Sequence, residues 1–114
     1  MTLFRLTLAA WLIIISIYTA FVIAQHGPGL FGVFFGDIAA MGWPGQFNLD
    51  FMGFLFLSGL WVAWRHHFTP LGLVLAVPAF LGGIPFLTIY LLIVSRQPDC
   101  DIKSIFLGPQ RAAS

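Results

Sequence analysis

Between Arg5 and Arg96 only three side chains are formally charged, Asp37, Asp50 and Arg65, and this scarcity constrains the fold more than any motif in the chain. A charge held at the centre of a bilayer costs about 2.5–3.5 kcal/mol or more. A chain that crosses lipid therefore sheds charge, while an ordinary soluble domain keeps about a quarter of its residues charged. Here 8% are charged and 60% are hydrophobic, and the mean hydropathy is +0.97. The class that follows is an all-α integral membrane protein, a single membrane domain over residues 1–114 with three transmembrane helices and a short interfacial helix between the first and second.

The first apolar run covers 6–24, long enough at about 1.5 Å per residue to cross a hydrocarbon core of about 30 Å. A cleaved secretory signal is the rival reading, with Arg5 ahead of the run and Val22-Ile23-Ala24 as the processing site. The run is longer than the 7 to 15 residues usual for a signal core, which favours a span. Gln25-His26-Gly27-Pro28-Gly29 then stops the helix. The next apolar stretch, 30–41, is too short to span and is expected to lie along the membrane surface, closed by Gly42-Trp43-Pro44-Gly45 with Trp43 at headgroup depth.

The second span is expected over 47–64. Asn48 suits its N-cap, Asp50 would fall in the first turn near the positive end of the helix dipole, and Phe47 and Met52 are spaced as a hydrophobic staple. Its far end carries Trp61, Trp64, Arg65, His66 and His67, an aromatic and basic set of the kind that anchors helices at the interface. Thr69 as cap and Pro70 as first helical residue open the third span, 70–95. So short a link makes spans two and three antiparallel neighbours. Pro78 and Pro85 press on the carbonyls of Val74 and Leu81, so a kink is expected, serving either as a hinge lining a cavity or simply to curve a packing helix. A polar tail occupies 96–114; its Ile102, Ile105, Phe106 and Leu107 could form an interfacial turn or two, or dock on a partner.

Small residues recur at helical spacing: Ser16, Ala20 and Ala24; Gly59 and Ala63; Gly72, Ala76, Ala79 and Gly83. In lipid, close contact along such faces is a principal source of helix association. The ridges serve either packing within the chain or a face left for another protein.

Chemistry is sparse. His66 and His67 are adjacent, so on a helix they diverge by about 100° and cannot grip one metal. His26 stands alone in a loop, and with no histidine in mid-span a bis-histidine haem or axially ligated chlorin is not expected. Cys100 lies between Asp99 and Asp101, which disfavour its thiolate and make it inert. There is no paired carboxylate, no nucleophile beside a base, and no phosphate loop, so no enzyme, no metal and no evidently ligated cofactor are expected. Asp50, Ser58 and the prolines of the third span are the only material for a proton or cation path. With a net charge of +1 and scattered basic residues, nucleic acid is excluded as a partner. Lipid, quinone or pigment contacts fit the thirteen phenylalanines.

Phe47-Asn48-Leu49-Asp50-Phe51, then Leu60-Trp61-Val62-Ala63-Trp64-Arg65-His66, then a Gly/Pro-containing third span ending Tyr90-Leu91-Leu92, resemble small bacterial membrane proteins of a family of unknown function. The similarity covers the second half of the chain; it implies three spans and adds no activity. The resulting expectation is a non-catalytic accessory or assembly subunit of a larger complex in a bacterial inner membrane, photosynthetic or respiratory, with other membrane subunits and lipids as partners. A small homo-oligomeric channel or transporter using Asp50 is the alternative. Three crossings put the ends on opposite sides, and the positive-inside rule leans towards the amino terminus inside and the carboxyl terminus outside.

Overall fold

The computed structural model describes residues 1–113; Ser114, the last residue of the expected tail, lies outside the described residues. The chain is all-α, in the order α1 (Thr2–His26), α2 (Leu30–Ala40), α3 (Trp43–Arg65), α4 (Pro70–Val94), α5 (Ile102–Leu107) and α6 (Pro109–Ala112). By length and composition α1, α3 and α4 can each cross a membrane, and the described part of the polar tail carries the two short helices α5 and α6.

The start of α3 departs from expectation. Gly42, in extended backbone, is the N-cap, and Pro44 sits in the first turn, where its missing N–H would have had no partner anyway. The four residues expected to close α2 therefore mostly open α3, and α2 ends at Met41 in the left-handed conformation, φ 57°. As a consequence Asn48 does not cap a helix; its Nδ2 donates to the Phe34 carbonyl at 3.2 Å and ties α3 to α2. Asp50 lies beyond the first turn, out of reach of the free N–H groups, and is exposed. Phe47 and Met52 are likewise inside the helix and form no staple at its start. Gly45 is essential to this corner, because a Cβ there would stand 2.2 Å from the Asp37 carbonyl oxygen.

The small-residue ridges of α3 and α4 meet each other. A Cβ on Gly59 would lie 3.1 Å from the Ala76 carbonyl oxygen, and one on Gly72 would press on His66 and Ala63. Val62 and Ala79 are fully buried along the same seam. Close approach of backbones is what small residues provide in a membrane, and here it is consumed within the chain.

The third long helix does not run straight. At Gly83 the backbone takes φ 58°, ψ −139° inside α4, a region almost reserved for glycine. Two contacts reveal the path: Gly72 packs on His66, and the Tyr90 hydroxyl lies 2.7 Å from His66 Nε2. Gly72 and Tyr90 would stand about 27 Å apart along a continuous helix, so the segment 84–94 must fold back beside 70–82. Gly83, at the reversal, packs on Phe51 and Leu55. Pro78 lies within the first half, whereas Pro85 falls at the beginning of the second, where a proline starts a helix more readily than it kinks one. Thr88, buried just beyond, donates its hydroxyl to the Ile84 carbonyl at 2.7 Å.

This reversal corrects the expected placement of the ends. Arg5, near the start of α1, bonds through Nε to the Ser95 hydroxyl at 3.1 Å and through Nη2 to the Ser95 carbonyl, so the beginning of α1 and the end of α4 share one end of the molecule. Opposite sides would require α4 to cross once without turning back.

Candidate functional site

The polar groups of the interior gather where α3, the returning half of α4 and the tail meet. Arg65 ends α3 and is 7% exposed. It therefore does not stand free at the surface as an interfacial anchor would. Its Nε donates to the Ile105 carbonyl at 2.7 Å, Nη2 to the Ser104 carbonyl at 3.2 Å, and Nη1 to the Tyr90 hydroxyl at 3.0 Å. Those carbonyls belong to α5, so the guanidinium neutralises the partial negative charge at the end of its own helix and binds the acceptors of another.

Tyr90 joins the two sides of the chain reversal. Its oxygen accepts from Arg65 and contacts His66 Nε2, while its ring meets Trp61 edge-on at 6.0 Å and stacks on Phe86 at 5.8 Å. Burial, then the neighbouring charges of Arg65 and His67, holds His66 below the ordinary imidazole value of 6.5. At neutral pH the ring is thus uncharged and suited to exchange a hydrogen bond with Tyr90.

The tail is fastened at two further points. Trp61 Nε1 donates to the Phe106 carbonyl at 3.0 Å, and Arg111 lies 3.9 Å over the Trp64 ring while donating to the Trp64 carbonyl. Within the tail, Asp101 caps α5 by accepting from the Ser104 N–H at 2.8 Å, and the Ser104 hydroxyl accepts from the Asp101 N–H. Hydrogen bonds from Ser104 hold the Asp101 carboxyl below its usual range. Ile105, fully buried, packs with Val62, Tyr90 and Val94.

Trp61, Trp64, Arg65 and His66, expected at one interface, are thus brought together; the first three bind the tail, and Arg65 and His66 share Tyr90 of α4. His67 faces outward in a turn, with φ 57°, and Trp43 is exposed at the start of α3. Gly59, Ala63, Gly72, Ala76 and Ala79 line the α3–α4 seam, Gly83 forms the reversal instead, and Ala20 is exposed on α1. Asp50 and Ser58 are not brought together: eight residues of one helix separate them by about 12 Å along its axis. The Ser58 hydroxyl is buried without a hydrogen-bond partner, beside an apolar groove of about 550 Å³ bordered by Phe51, Leu55, Trp61, Ile84 and Leu91.

Tyr90, Ser95, Ser104 and Arg111 were not singled out by sequence reasoning. The available signal was Arg65 itself: a lone cation between apolar runs needs acceptors, and the amphipathic tail is one of the few places to find them. No group of three or more histidine, cysteine or acidic side chains suited to a metal occurs among the described residues. No protein-family model, curated protein or solved structure matches the chain.

Proposed function

We propose that the protein is a non-catalytic accessory or assembly subunit of a larger bacterial membrane complex. The observation that carries this reading is the distribution of polar groups. The buried arginine, tyrosine hydroxyl and tail carbonyls form a structural seal at one end, and the helix seam beneath it is built from Val62, Ala79 and small residues. A transport path needs polar groups in sequence along the membrane normal. Asp50 is exposed and Ser58 stands apart from it, which supports the subunit reading over a path within a single chain. The ridge of Ser16, Ala20 and Ala24 on α1 is exposed and offers other helices a close approach.

The fold also supports an orientation. The reversal at Gly83 collects Arg5, Arg65, Arg96, Lys103 and Arg111 at one end, and these are the five basic residues other than histidine in the chain. Asp37 and Asp50 lie towards the other. By the positive-inside rule the basic end is cytoplasmic, with both ends of the chain inside. Purification in mild detergent tests the subunit reading: a large assembly of other membrane proteins is expected, and a pure self-oligomer that conducts ions in vesicles would overturn it. Labelling of Cys100 in intact cells tests the orientation. Protection from an impermeant thiol reagent until the cells are permeabilised is expected, and labelling from outside would reverse it.

A further inference from the structure

We propose that the groove between the start of α1 and the returning half of α4 binds one phospholipid with a net negative headgroup. Its volume is about 520 Å³. Leu6, Ala9, Leu92 and Ile93 form its apolar wall, and Arg5 and Arg96 stand on its border with no carboxylate among the lining residues. The order along the helices matters. Arg5 is the fourth residue of α1 and Arg96 lies just beyond α4, so both cations sit at the aqueous end, while Ala9 and Leu92 continue the groove towards the membrane interior. Two guanidinium groups above an apolar trough match the shape and charge of a phosphate ester above an acyl chain.

Arg5 is already positioned by Ser95 through Nε and Nη2, which fixes the plane of its guanidinium on the border of the groove. Arg96 is exposed, and its side chain is free to close over a headgroup. Nearby acids do not compete: Asp99 and Asp101 border a separate cavity with Arg65 and Ser104. A zwitterionic head would bring a cation of its own to this site, so the arrangement selects for net negative charge. The inference does not depend on the complex to which the protein belongs.

The test is native mass spectrometry of the full chain released from nanodiscs containing equal amounts of phosphatidylglycerol and phosphatidylcholine with matched acyl chains. Preferential retention of one phosphatidylglycerol is expected. Arg96→Gln should lower that preference about fivefold, the effect of roughly one basic residue near a membrane surface, and Arg5→Gln at least as much. Because Arg5→Gln also removes the bond to Ser95, Arg96→Gln is the decisive variant. Lys103→Gln, basic but outside the groove, should leave the preference unchanged. Equal retention of the two lipids, an undiminished preference in Arg96→Gln, or an equal loss in Lys103→Gln would overturn the proposal. Displacement of the lipid by millimolar inorganic phosphate would also overturn it, by showing a site for free phosphate.

Discussion

At the end that carries Arg65, arginine, tyrosine and tryptophan side chains bind α3, the second half of α4 and the tail through directional bonds to named acceptors. At the other end, where α2 meets α3, the side-chain bond from Asn48 to Phe34 accompanies a backbone approach made possible by Gly45. The first region specifies its partners chemically and the second sterically. The difference lies in the side chains each end presents: long guanidinium and indole groups reach carbonyls across a gap at the first, whereas Gly45 lets two backbones touch at the second, leaving little room for such groups.

The comparison can be broken most severely at the reversal that creates the basic end. Gly83→Val places a β-branched residue at φ 58°, a conformation costing about 1–3 kcal/mol for side-chain-bearing residues, and puts a Cβ 3.1 Å from Phe51 Cζ. The expected outcome is loss of the return of 84–94 towards Arg65. Disulfide cross-linking between cysteines placed at Thr2 and Arg96, with Cys100 replaced by serine, should be efficient in the parent and lost in the variant. Efficient cross-linking in both would mean that the turn does not rest on Gly83.

A smaller effect should follow from Arg65→Met, which keeps the apolar stem but strands the Ser104 and Ile105 carbonyls. About 1.5–3 kcal/mol of tail docking should be lost, the usual range for hydrogen bonds to a charged group, read as faster proteolysis within the tail. The α2–α3 corner should be unaffected. If the tail is no more accessible, the seal is held by Trp61 and Ile105 instead.

Acidification should sharpen the contrast more gently. His66 is lowered in the docked state relative to 6.5 when free, so the undocked state takes up the proton first. The stabilisation is complete above about pH 6.5 and falls as the pH drops from there towards the lowered value. Tryptophan emission from Trp61 and Trp64 should report loosening in that window, and His66→Gln should flatten the profile. For Asp101 the carboxyl is lowered, so its cap is present above the ordinary carboxylate range and weakens only in stronger acid. An unchanged profile in His66→Gln would assign the acid response elsewhere.

The smallest effect is expected for Asp50→Asn. The residue is exposed and caps nothing, so stability should move by no more than about 0.5 kcal/mol, with no change in ion flux in reconstituted vesicles. Flux present in the parent and abolished by this substitution would restore the transport reading.

Membrane insertion, all-helical class and the approximate bounds of the long helices were written in the charge and hydropathy pattern, because each depends on local composition over about twenty residues. Thr69 and Pro70 were legible for a similar reason: a cap acts within a single turn, and Thr69 does accept from the Gly72 N–H. Asn48 and Asp50 misled because a proline and two glycines at 42–45 resemble a loop, yet Gly45 is required inside α3 for contact with Asp37. The path of α4 was beyond the sequence. Whether Gly83 continues a helix or reverses it depends on Phe51 and Leu55 receiving the turn, and on Tyr90 finding Arg65 and His66 at the end of the return. Composition therefore decided the solvent and the helices. Only contacts distant in sequence decided that a lone arginine is buried, that the tail closes over it, and that the basic residues share one end, since a buried charge is stable only where acceptors converge on it.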